Sequence, residues 1–117
     1  MKIVNKKQFF ELPNGVLYSK YKPCYFNGLY IKLDTLNDLN GEPIDFIYQD
    51  LIAELDVNDS DEYIDVLTEA QETHEHIELD FECSQREGLY DDDQMFAVYS
   101  KEEILNLSKI ISNCTGI

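Results

Sequence analysis

The strongest constraint on this fold is a change of hydrophobic period in mid-chain. Tyr63, Val66, Leu67 and Ala70 recur at helical spacing, while Asp61, Glu62, Asp65, Glu69 and Glu72 lie elsewhere on the wheel. Asp59 with Glu62 has the form of a capping box ahead of them. In the stretch 74–83 the period becomes two: Ile77, Leu79, Phe81 and Cys83 alternate with His76, Glu78, Asp80 and Glu82. The pattern predicts a helix over 60–72, then a strand with one buried face and an acidic face over 76–82.

Weaker signals complete the order. Asn5 is placed to cap a short helix bearing Phe9, Phe10 and Leu12, which Pro13-Asn14-Gly15 ends. Residues 16–21, 29–33, 44–48 and 95–99 read as strands on β-propensity. Residues 34–43 read as a polar loop, 51–55 as either a strand end or a helical turn, and 84–94 as a loop. Ser100-Lys101-Glu102-Glu103 is a capping box for a helix over about 101–112, with Ile104, Leu107, Ile110 and Ile111 on one face. Short connections favour antiparallel pairing. The expectation is one α+β domain over 1–117, an antiparallel sheet of about five strands with two to three helices on one face.

A chain of 117 residues, 44% hydrophobic, has the size and core material of one domain despite a net charge of −15. That charge is uneven. Residues 1–33 hold six lysines against Glu11, whereas 54–93 hold 16 acids against Arg86 alone. Such asymmetry bears on partners rather than on fold. No apolar run approaches the ~18 residues of a membrane span. Cys24, Cys83 and Cys114 are odd in number and lack a CxxC, which argues against a disulfide framework and for the cytoplasm.

Motifs for catalysis are weak. Asp56 to Glu62 starts like a calcium loop, but Asp61 stands where glycine is needed and Leu67 where a bidentate acid is needed. His74 and His76 with Glu78 or Asp80 are the weak candidates for a metal site, and a polar strand face is the simpler reading. Asp91-Asp92-Asp93 reads as a solvated loop. There is no G-x-S-x-G, Gly-rich phosphate loop or H-E-x-x-H. A non-enzyme without a cofactor is therefore expected.

Two surfaces remain. Tyr18, Tyr21, Tyr25 and Tyr30 interleave with Lys20, Lys22 and Lys32, the mixture that stacks on bases and attracts phosphate. The charge of −15 repels a polyanion, so a small nucleotide suits this stretch better than nucleic acid. The second surface is acidic: Asp61, Asp65, Glu69, Glu72, Glu78, Asp80 and Asp91 to Asp93. Duplex DNA carries one charge per ~1.7 Å of axis. Acids from 61 to 72 cover ~17 Å of helix, and those at 78, 80 and 82 recur every ~6.6 Å of strand. If the helix and strand share a face, that face imitates a phosphate track.

Phe9, Leu12-Pro13-Asn14-Gly15, Tyr18-Ser19-Lys20-Tyr21 and the stretch from Gly88-Leu89-Tyr90 through Met95-Phe96-Ala97-Val98-Tyr99 resemble segments of small phage- and prophage-encoded proteins of unassigned function. In size and charge the chain is similar to phage inhibitors of bacterial defence, of the anti-restriction and anti-CRISPR type. The resemblance implies an anti-defence inhibitor or accessory protein, and carries over no functional residue. Three readings follow. The first is an acidic inhibitor of a basic, nucleic-acid-handling host protein or nucleoprotein complex. The second is a nucleotide-binding or sequestering protein. The third is a metal-dependent enzyme. None needs a membrane or direct nucleic-acid contact, and a homodimer is open in each.

Overall fold

Asn5 starts the first helix by local chemistry. Its side chain accepts from Gln8 N at 2.8 Å, and the Gln8 side chain accepts from Asn5 N at 3.0 Å. This helix, α1 (Lys6–Phe10), follows a three-residue strand, β1 (Lys2–Val4). Three residues are too few to carry a readable period, so β1 is a strand the sequence does not announce. These elements come from a computed structural model that describes all 117 residues.

β2 (Leu17–Lys22), β3 (Tyr25–Asn37) and β4 (Pro43–Asp50) follow as an antiparallel meander. β3 is much longer than the expected 29–33. Register irregularities between Lys32 and Thr35, and again between Leu36 and Asn37, carry the ladder through residues read as a loop. The turn shrinks to 38–42, where the Asp38 carboxylate accepts from Asn40 N and Glu42 N at 2.8 and 3.0 Å. β7 (Gln85–Arg86) and β8 (Met95–Val98) complete a six-stranded antiparallel sheet in the order β1-β8-β2-β3-β4-β7. α2 (Ser60–Thr73) and a separate two-stranded ribbon of β5 (Glu54–Leu55) and β6 (Leu79–Asp80) lie between β4 and β7. α3 (Lys101–Ser112) follows β8.

The α+β class and antiparallel sheet are as expected, with six strands rather than about five. The helices do not share one face. Phe9 of α1 stacks on Phe96 at 4.0 Å and meets Tyr18 edge-on at 4.8 Å and Phe46 at 5.0 Å. With Val4 these aromatics are the core. α3 lies over Leu17, Leu29 and Tyr99. Leu17 and Tyr18 are strand neighbours and so point to opposite sides.

The expected strand over 76–82 reduces to the two residues of β6. Alternation makes a strand regular only when a neighbouring layer buries its apolar side. Here the ribbon has no third strand, and Leu79 and Phe81 stay 48% and 64% exposed. Cys83, read as part of that buried face, is half-buried. No helix is long and apolar enough to cross a membrane.

Candidate functional site

The chain leaves the sheet after Asp50, whose carboxylate accepts from Ile52 N at 2.9 Å, and returns at Gln85. Between these points Asp59 caps α2 by accepting from Glu62 N at 2.8 Å. Glu62 reaches one residue further than a capping box requires, to Asn58 N at 2.9 Å. Asp61 and Glu62 in the first turn suit the positive end of the helix. His74, in the left-handed conformation at φ 58°, ends it.

This excursion holds twelve acids from Glu54 to Glu82 and no lysine or arginine. Of the acids expected to form one face, Glu69 and Glu78 meet in a cleft of about 470 Å³ between α2 and residues 75–78, together with Asp56, Glu75 and His76. Asp80 joins Asp56, Glu78 and Glu82 in an adjoining hollow. Asp61, Asp65 and Glu72 line neither. Helix and ribbon thus share part of one acidic surface rather than a continuous track. Asp91, Asp92 and Asp93 belong elsewhere. Asp92 pairs with Lys6 at 3.1 Å beside α1, and Asp91 accepts from Asp93 N at 2.9 Å.

The pairing of His74 and His76 on a strand face does not form, because His74 is a helix cap and His76 lines the cleft. No group of three or more His, Cys, Asp or Glu side chains is placed to hold a metal ion.

The tyrosine–lysine stretch divides in two. Tyr21, Lys22 and Tyr25 lie at the outer end of the β2–β3 hairpin, paired as Tyr21 with Phe26 and Lys22 with Tyr25. Lys32 is sequestered. It is 1% exposed, and its Nζ donates to Thr35 Oγ1 at 2.8 Å and Leu33 O at 3.2 Å. Burial lowers its pKa, opposed by the Asp34 carboxylate. An open basic surface over all seven residues is therefore not what the fold builds.

Tyr18, Lys20 and Tyr30 do converge. Tyr18 and Tyr30 stack at 5.3 Å, and Tyr48 meets Tyr30 edge-on at 5.4 Å. Lys20 Nζ sits 5.7 Å over the Tyr30 ring and 2.8 Å from Glu87 Oε1. The Glu87 side chain is 9% exposed, and its Oε2 and the buried Tyr18 hydroxyl have no hydrogen-bond partner. Burial first, then the Glu87 charge, drives the Tyr18 pKa far up. Burial lowers that of Lys20, but the Glu87 hydrogen bond and charge outweigh it, and the net shift is upward. Tyr48 and Glu87 carry no sequence signal for this role, since nothing local brings 48 and 87 to strand β2. Searches of protein-family models, curated proteins and solved structures find no match to this chain.

Proposed function

We propose that this protein is a non-catalytic binding protein whose acidic excursion docks on a basic protein or nucleoprotein complex. One observation carries the reading. Leu79 and Phe81, which alternate with Glu78, Asp80 and Glu82, are left in solvent, in a segment with no lysine or arginine. Leu79 and Phe81 supply the desolvating anchors that dominate interface energies. The acids around them speed encounter and select a positive partner. A surface of this kind competes with nucleic acid for a basic groove. The similarity in size and charge to phage inhibitors of bacterial defence makes a nucleic-acid-handling host protein the favoured target, reached in the bacterial cytoplasm.

The experiment is capture from bacterial lysate with the tagged chain, against a variant carrying Glu69→Lys, Glu78→Lys, Asp80→Lys and Glu82→Lys. A basic partner retained by the wild type, weakened by salt and lost on reversal supports the proposal. Retention by the reversed variant refutes the acidic contact.

The two unpartnered buried atoms, Tyr18 OH and Glu87 Oε2, favour a second reading, a small ligand at the Tyr18–Lys20–Tyr30 cluster. Lys20 is already neutralised by Glu87, so the cluster suits a ligand that donates hydrogen bonds better than a phosphate. A nucleotide would enter by its base. Thermal shift with a panel of nucleosides and nucleotides tests this, because a ligand of the native state raises Tm.

A further inference from the structure

α2 is a helix of 14 residues with none of them buried. A helix of this length is marginal in water on its own and depends on packing an apolar face. Val66 and Ala70, one turn apart on its inner side, are half-buried, and so are Leu55, Val57 and Ile77 across from them. These five apolar side chains floor the cleft of about 470 Å³, a volume within the range of sites that take a ligand group. Asp56, Glu69, Glu75 and Glu78 stand exposed around that floor. Asp56 and Glu78 also line the adjoining hollow, where Leu79 and Phe81 stand in solvent. Cleft and hollow thus run into each other across two shared carboxylates.

We infer that the cleft takes an apolar side chain from a lysine- or arginine-rich peptide segment. The inference rests on the docking proposed above and names the part of the partner that seats there. Charge complementarity selects the occupant. Six carboxylates border the cleft and hollow, and His76 is the one basic side chain lining either. A neutral or acidic segment desolvates those carboxylates without giving them a partner. Nucleic acid is repelled by them.

A cationic segment satisfies both halves of the surface. The methylene stems of lysine and arginine pack along an apolar floor, while their charged heads stay at a wet acidic rim. An apolar residue between two such cations fills the space that Val66, Ala70 and Ile77 leave open. A small polyamine supplies the cations but no apolar branch to fill it.

Isothermal titration calorimetry on the full chain tests this with two peptides of equal charge, Lys-Lys-Leu-Lys-Lys and Lys-Lys-Ser-Lys-Lys. The leucine peptide is expected to bind at least about tenfold more tightly, the effect of burying one leucine side chain. Ala70→Phe fills the cleft from within and removes that difference, while the salt-sensitive binding common to both peptides remains. Ile77→Ser strips the floor without changing charge and does the same. Circular dichroism and Tm establish that each variant is folded, and either one alone suffices.

Equal binding of the two peptides, or none, overturns the inference. So does a leucine preference that survives the substitutions, or spermine binding as tightly as the leucine peptide. Self-association of the wild type that Ala70→Phe abolishes assigns the cleft to a second copy and overturns it too. Lysate capture separates this inference from the reading it rests on. A basic partner still held by Ala70→Phe, but lost on reversal of Glu69, Glu78, Asp80 and Glu82, leaves the acidic docking standing and overturns the cleft as its anchor. A partner held through the reversal overturns the docking itself.

Discussion

Arg86, the only lysine or arginine between Lys32 and Lys101, is committed to the buried carboxylate of Asp45. The same carboxylate accepts from Gly88 N at 3.1 Å and Phe46 N at 2.8 Å. The pair joins β7 to β4 at the point where the acidic excursion returns to the sheet. One positive charge thus closes a segment that otherwise repels itself.

Replacing Asp45 by alanine is expected to destabilise the fold by about 3 kcal/mol, because it strips partners from buried amides and frees Arg86. Arg86→Met should cost less, since most of the arginine is in solvent. Urea unfolding of both variants checks the order. An equal effect would show that the carboxylate's backbone bonds contribute nothing beyond the ion pair.

Phe9 touches Tyr18, Phe46 and Phe96. Phe9→Ala removes the ring at the centre of the core and should cost about 3–5 kcal/mol. Chemical denaturation measures it. A loss under about 1 kcal/mol would mean that α1 is dispensable to the sheet.

Alkaline pH should unfold the protein in a defined direction. The folded-state pKa values of Lys20, Tyr18, Tyr30 and Tyr48 are all raised. A group so raised contributes stability fully present below its unfolded value, and that contribution is lost as pH climbs towards the folded one. Lys32, whose pKa burial lowers, works in the opposite sense only up to its ordinary value of 10.5, so stability should fall once pH passes the ordinary tyrosine value of 10.0 and that of Lys32. Denaturant midpoints measured on both sides of these values give the slope. Tyr48→Phe should flatten it, since it removes one raised phenol and one of the causes of the raised Tyr18 value, and an unchanged slope would place the titration elsewhere.

Phe81→Ser changes a side chain already 64% exposed. Stability should shift by no more than about 0.5 kcal/mol, while capture of a basic partner is lost. A large fall in Tm would instead assign Phe81 to the fold.

Much of this protein is decided within a few residues of chain. Asn5, Asp59 and Ser100 each cap the helix that follows, because a cap needs only amides two or three positions on. The helical periods of α2 and α3 are equally local. The strand-like alternation from Ile77 to Cys83 was legible too, but its outcome was not. Whether a period of two becomes a buried strand depends on a neighbouring layer, and the excursion supplies only the two residues of β5. The length of β3 depends on irregularities that pairing with β4 imposes on residues with loop composition. Lys20 and Tyr30 were visible as a basic aromatic stretch. Glu87 joins them only because the chain returns to the sheet through the clamp of Arg86 on Asp45, and Lys32 leaves them only because it is buried against its own strand. Local hydrogen bonds and periods are written in sequence. Which charges meet, and which apolar faces stay uncovered, is settled by contacts between residues far apart in the chain.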